Sequence, residues 1–251
     1  MIFHNSENTM KSASRTFDLF ETFARMQAPI TLSDLARQMK MPVSTCFNLV
    51  RTFEARGFLY SLGSRRGLYP TKRMLQLVTT IAQHDPIGTR VSHALSKLRD
   101  MTGETVVLSK RNGDKVVYME VFESPHRIRY SAVVGEIRDL HANSMGKALL
   151  GQLPEAERKA VISKLKFTKY TKQTLPSAAA YATDIAKSLK RGYCLNDGES
   201  VADVMAVAVA MKINDEHFAV ALAGPRYRMK DEIAARADQL QRACRSIADA
   251  G

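Results

Sequence analysis

The 251-residue chain is 45% hydrophobic and 25% charged, with 37 Lys and Arg against 25 Asp and Glu. This is a globular composition, long enough for two modest domains, and the net charge of +12 directs attention to polyanionic partners. No apolar run approaches the roughly 20 residues that span a bilayer, the polar first eleven residues lack a signal-peptide core, and the scattered Cys46, Cys194 and Cys244 form neither a disulfide framework nor a zinc-ligand spacing. The expectation is a cytoplasmic protein without metal or cofactor.

Phe17, Leu19, Phe20, Phe23 and Met26 predict an amphipathic helix that ends near Pro29. Thr31-Leu-Ser-Asp34 is a capping-box-like start for a short second helix, with Asp34 where Glu or Gln is usual. Met41-Pro42 ends the following turn and places Pro42 at the first position of the next helix. In that helix Cys46, Leu49, Val50 and Phe53 form one apolar stripe. The opposite face carries Ser44, Thr45, Phe47, Asn48, Arg51 and Thr52, side chains able to reach base edges or phosphates in a major groove. Gly57 closes the helix. Phe58-Leu-Tyr60 and Leu68-Tyr69 then flank Gly63-Ser-Arg-Arg-Gly67, a hairpin with Arg65 and Arg66 at its tip.

Helix, turn, helix and basic hairpin in this order are the pattern of a winged helix-turn-helix. Between Arg37 and Arg73 lie eight basic residues and one acid, Glu54, so about +7 of the whole charge is concentrated here. A basic run alone would indicate only a solvated face. Its coincidence with the helix and wing points to double-stranded DNA.

Residues 71–84 read as a further helix with Met74, Leu75, Leu77, Val78 and Ile81 on its apolar side, interrupted by Asp85-Pro86. The domain expectation is therefore 1–70 for DNA binding, 71–85 as a linker helix and 86–251 as a second domain. The second domain opens with a helix over 86–101, then strands at 105–108 and 116–122 around the turn Arg111-Asn-Gly-Asp114. A third strand is predicted over 128–134, where Arg127 and Arg129 alternate with Ile128 and offer a cationic rim. Helices follow at 144–153, 154–165 and 177–191, strands at 193–195, 204–211 and 218–223, and a last helix at 229–248. This is an α+β pattern, with helices expected on one side of the sheet.

These motifs, in this order, resemble the IclR family of bacterial transcription regulators over about residues 14–247. The anchors are Thr31-Leu-Ser-Asp-Leu-Ala36, Pro42-Val-Ser-Thr45, Glu54-Ala-Arg-Gly-Phe58, Leu140-His-Ala142 with Gly146-Lys-Ala-Leu149, Arg191-Gly-Tyr193 through Asp197 and Glu199, and Gly224-Pro225. The resemblance implies a GAF-like C-terminal domain that binds a small metabolite, operator binding as a dimer or tetramer, and no metal or nucleotide. It implies an effector pocket at Asn143, Ser144 and Met145, whose N–H groups at a helix N-terminus can hold a carboxylate, with Asn196, Met205, Ala206 and Ala221 as further walls. Asn196 stands where an aspartate is common and Ala206 where some members have cysteine, which favours an aromatic or aliphatic acid over a very small oxoacid. Asn48 stands where arginine is frequent, which shifts the expected base preference toward adenine.

Two other functions compete with a ligand-responsive regulator. An enzyme would use Cys194 or the His141/Lys147 neighbourhood, but the six histidines form no set with a nucleophile and an orienting group. An architectural DNA binder would use its C-terminal domain only to oligomerise. A dimer is expected in either case, because one winged helix reads few base pairs and paired half-sites restore specificity.

Overall fold

The computed structural model describes residues 11–63 and 66–249, which fall into two compact units, 1–85 and 86–251. Among the described residues no helix is long and apolar enough to cross a membrane.

In the first unit α1 (Lys11–Met26), α2 (Leu32–Gln38) and α3 (Val43–Ala55) precede the two-stranded sheet of β1 (Leu59–Ser61) and β2 (Leu68–Pro70). Thr31 caps α2: its Oγ1 accepts from the Asp34 N–H at 3.2 Å. The reciprocal arm of the expected capping box is altered, since the Asp34 carboxylate takes the Thr31 hydroxyl at 2.7 Å instead of a backbone N–H. Pro42 is the N-cap residue of α3, one place earlier than the sequence suggests, with φ −58° and ψ 142° in the extended region. The end of α3 is a Schellman turn in which Gly57 (φ 72°) donates to the Glu54 carbonyl and Phe58 to the Phe53 carbonyl. Cys46, Val50 and Phe53 are buried with Leu19, Phe23, Leu35 and Phe58. At about 1.5–3 kcal/mol for each fully buried large side chain, this stripe fixes the rotation of α3 and hence its outward face. β2 is tied back to the start of α2 by mutual backbone bonds between Leu68 and Ile30, at 2.8 and 3.1 Å. α4 (Arg73–Gln83) buries none of its residues; Met74 packs on the core while Leu75, Leu77, Val78 and Ile81 stay exposed.

The second unit starts with α5 (Pro86–Thr102) and is built on one six-stranded antiparallel sheet. Its strands are β3 (Thr105–Asn112), β4 (Lys115–Phe122), β5 (Ile137–Asp139), β6 (Cys194–Asp197), β7 (Val204–Ile213) and β8 (Glu216–Pro225), in the order β5-β4-β3-β8-β7-β6. The expected strand over 128–134 is absent: this stretch is irregular, and the third strand is β5 further on. The carbonyls at Ile128 and Tyr130 are bonded by the side chains of Arg228 (3.1 Å) and Thr105 (2.5 Å), not by a ladder.

Helices cover both faces of the sheet, not one. Val106 and Leu108 of β3, Met205, Val207 and Met211 of β7 and Val220 and Leu222 of β8 pack with α5 and with α10 (Ile233–Asp249). The alternate residues Val107, Ala208, Ala219 and Ala221 pack with α6 (Ser144–Gly151) and α8 (Ala178–Arg191). Three short helical pieces complete the unit: α7 (Glu155–Ile162), α9 (Arg226–Met229) and a 3-10 turn at Lys230–Glu232. Arg90 of α5 donates to the Ile247 and Ala248 carbonyls at the end of α10.

The start of α6 sits tightly on the segment before it. A Cβ on Gly146 would press into the Leu140 carbonyl oxygen and lie 2.8 Å from the Leu140 Cα. Tyr181, fully buried on α8, donates its hydroxyl to the same carbonyl at 2.6 Å. We expect Gly146→Ala to destabilise the second unit by about 2–4 kcal/mol through forced backbone movement, seen as a lowered midpoint in thermal or urea unfolding. A midpoint equal to that of the wild type would show that α6 can lift without cost.

Candidate functional site

The outward face of α3 presents Ser44, Phe47, Asn48, Arg51 and Thr52 to solvent, with Thr45 half-buried. The Arg51 guanidinium lies over the Phe47 ring at 5.8 Å, an i,i+4 contact that extends it along the helix. The Thr52 hydroxyl donates to the Asn48 carbonyl, whereas the Asn48 amide has no partner among the described residues. Arg66 is exposed on the wing, in a turn closed by N–H bonds from Arg66 and Gly67 to the Gly63 carbonyl; Arg65 lies outside the described residues. Arg56 and Arg73 flank the Phe58 ring at 5.7 and 5.2 Å.

In the second unit a small cleft opens at the N-terminus of α6. Asn143, Ser144, Met145, Asn196, Ala206 and Ala221 all line it. Met205 does not. Strand alternation turns it to the opposite face, where it packs in the core against α5 and α10. Asn143 caps α6 by accepting the Met145 N–H at 2.9 Å. Asn196 is spent on structure: its amide donates to the Ala142 carbonyl at 2.7 Å and its Oδ1 accepts the Glu199 N–H at 2.9 Å. The floor is made by small side chains, Ala206, Ala221 and Ala223, beside Val107.

Sequence reasoning missed Tyr118, Tyr130, Ser200 and Val204, which also line the cleft. Tyr118 reaches it because of a bulge: Leu108 pairs with Glu120 but Ser109 pairs with Tyr118, so Met119 is skipped and left 40% exposed. Burial holds the Tyr118 hydroxyl well above the usual phenol range, so it is a neutral hydrogen-bonding group. The expected cationic rim is not part of the cleft: Arg129 is paired with Glu123 at 3.1 Å, and neither Arg127 nor Arg129 is a lining residue.

With both sites described, their likeness to known proteins can be placed. Residues 12–63 match the model of the IclR helix-turn-helix domain, and residues 79–249 match that of the bacterial transcriptional regulator IclR C-terminal domain. The chain belongs to the IclR family. It is 28% identical to the transcriptional repressor IclR of Escherichia coli over 230 residues, 89% of this chain and 83% of that one. It is 27% identical to the probable transcriptional regulator SauR of Cupriavidus necator over 220 residues, 87% and 86% of the two chains. The Thermotoga maritima IclR structure superposes with a TM-score of 0.80 at 21% identity, covering 96% of this chain and 98% of that one. An IclR homologue from Microbacterium hydrocarbonoxydans, solved with 4-hydroxybenzoate, gives 0.75 at 20% identity over 94% and 97%. The chain is thus an IclR-type transcription regulator, in a family of regulators rather than enzymes.

The residues that an enzyme would have used have other work in this IclR-family fold. Burial pushes the Cys194 thiol up to about 11, the reverse of an activated nucleophile. The His141 Nε2 donates to the Thr168 carbonyl at 2.9 Å, and its ring stacks on Tyr170 at 5.7 Å. Lys147, fully buried one turn into α6, meets Glu199 at 2.5 Å, Asp184 at 2.8 Å and the Leu195 carbonyl at 2.8 Å. Burial raises the Glu199 pKa while Lys147 opposes the rise. We expect Lys147→Ala to cost about 3–5 kcal/mol, because two carboxylates lose the cation that compensates their burial. Glu199→Gln should cost clearly less, since an amide remains without an unpaired charge. Equal losses in urea unfolding would show that Lys147 acts by packing alone.

Proposed function

We propose that this regulator binds operator DNA through Ser44, Thr45, Phe47, Asn48 and Arg51 on α3, with Arg65 and Arg66 of the wing following the backbone, and that a small organic acid in the α6 cleft modulates it. What carries the reading is the presence in one chain of an exposed polar recognition face and a cleft at a capped helix N-terminus. Backbone N–H groups at such a terminus favour a carboxylate. The Microbacterium homologue crystallised with 4-hydroxybenzoate supports an acid of that size.

The working form is a cytoplasmic homodimer or a pair of dimers. Leu75, Leu77, Val78 and Ile81 on α4, with Phe17 and Met26 on α1, are large apolar side chains left exposed, the kind of surface that marks an interaction site when it is contiguous. A second copy covers this surface best, since it also supplies a second recognition helix for a two-fold operator.

Asn48→Ala should relax operator choice at one base pair, with discrimination there falling by about 1–3 kcal/mol in binding assays on single-base variants. A uniform loss across all variants would assign Asn48 to phosphate. In thermal-shift titrations of the DNA-free protein, one class of small monocarboxylates should raise the midpoint; at 100 times its Kd the stabilisation is about 2.7 kcal/mol. Ala221→Leu fills the cleft floor and should abolish that rise. A rise unchanged in the variant would place the ligand elsewhere, and no rise with any acid would favour a C-terminal domain that only oligomerises.

A further inference from the structure

Among the described residues the wall of the cleft holds polar groups but no charged side chain: no Lys, Arg, His, Asp or Glu lines it. Lys147, further along α6, is already committed to Glu199 and Asp184, and Arg138, whose charge acts on the Tyr118 and Tyr130 phenols, is paired with Glu136. An anion in the cleft therefore meets the N-terminal N–H groups of α6 that Asn143 does not already accept, together at most roughly half a positive charge, and neutral hydroxyls. Ser144 contributes one of these. The residue is 1% exposed, forms part of the wall, and its hydroxyl has no hydrogen-bond partner among the described residues. That is one seat for a single carboxylate. A second carboxylate on the ligand would be buried without a counter-charge.

Beside Ser200 and the amides of Asn143 and Asn196, the polar wall holds a pair of phenols. The Tyr118 and Tyr130 hydroxyl oxygens lie 3.1 Å apart, and the Asn143 amide approaches the Tyr118 oxygen at 3.5 Å. Two phenols bring two protons, but only one fits between the two oxygens. The other proton points away from the pair and needs an acceptor. A plain hydrocarbon body that covers it would leave it unanswered, at the cost of an unmade hydrogen bond. A hydroxyl on the ligand can accept that proton and donate its own.

We propose that Tyr118 and Tyr130 read a hydroxyl group on the effector, making the cleft selective for a hydroxy-substituted monocarboxylate over both the unsubstituted acid and a dicarboxylate. This rests on the cleft being the effector site, as argued above. Sites built to pair a ligand hydroxyl reject the analogue that lacks it more strongly than apolar pockets reject a lost methylene.

The test is calorimetric titration of the full chain with matched acids: benzoate and its 3- and 4-hydroxy derivatives, hexanoate and its hydroxy derivatives, terephthalate and adipate. At least one hydroxy acid should bind about tenfold or more tightly than its parent, and neither dicarboxylate should match it. In Tyr130→Phe the hydroxy acid should fall to the affinity of its parent, while the parent stays within about twofold of its wild-type value. Tyr118→Phe should act in the same direction and serves if the first variant is poorly folded. Hydroxy acids binding no better than their parents, a dicarboxylate binding equally well, or a variant that weakens parent and hydroxy acid alike would each overturn the phenol reading. No binding by any acid to the wild type would overturn the effector site itself, a result distinct from the loss of discrimination alone.

Discussion

The second unit is organised around one buried ammonium. Lys147 projects from α6 into a site where Glu199, Asp184 and the Leu195 carbonyl come from the loop after β6, from α8 and from β6. A fully buried cation is stable only if its partners are held in place, so these four elements constrain one another. The cleft lies at the end of the helix so constrained. Its capping residue Asn143 and its free hydroxyl on Ser144 occupy the first turn of α6, a few residues before Lys147. Gly146, pressed against Leu140, sets how deeply that turn can sit. The cleft at one end of α6 and the charge pairing further along it are thus held by a single rigid element.

In the first unit the same role falls to apolar packing. Cys46, Val50 and Phe53 fix the roll of α3, and what faces solvent follows from that choice. Gly67 is equally constrained: at φ 88° a Cβ there would lie 2.7 Å from the Ile30 backbone. The wing strand and the segment that leads into α2 therefore lie edge to edge, and the wing is positioned by the helix-turn-helix itself.

Much of this was legible in the residues. The stripe of α3 and the Gly57 stop follow from the 3.6-residue period and from helix-ending chemistry, and both are local. The cleft residues Asn143, Ser144, Asn196 and Ala206 came from family resemblance rather than from physics. What escaped was non-local. Tyr118 is on the cleft face because the chain skips Met119, and strict alternation from Val121 would have turned it outward. Met205 was paired with Ala206 by adjacency, although neighbours on a strand face opposite sides. The 128–134 stretch alternates like a strand, yet its carbonyls are satisfied by side chains distant in sequence. The expectation of helices on a single face came from the order of elements, which does not show that β7 and β8 bury both of their faces.

The two faces of β7 and β8 differ in kind. One carries Met205, Val207, Val220 and Leu222 into the larger core; the other carries alanines beneath α6 and the cleft. Each alanine shares its backbone with a bulky neighbour that points the other way, so cleft shape and core stability are written on alternate letters of the same two strands. The floor can be recontoured one side chain at a time while the packing that holds the sheet keeps its own residues. A cleft built this way can change its contour without the fold first being remade.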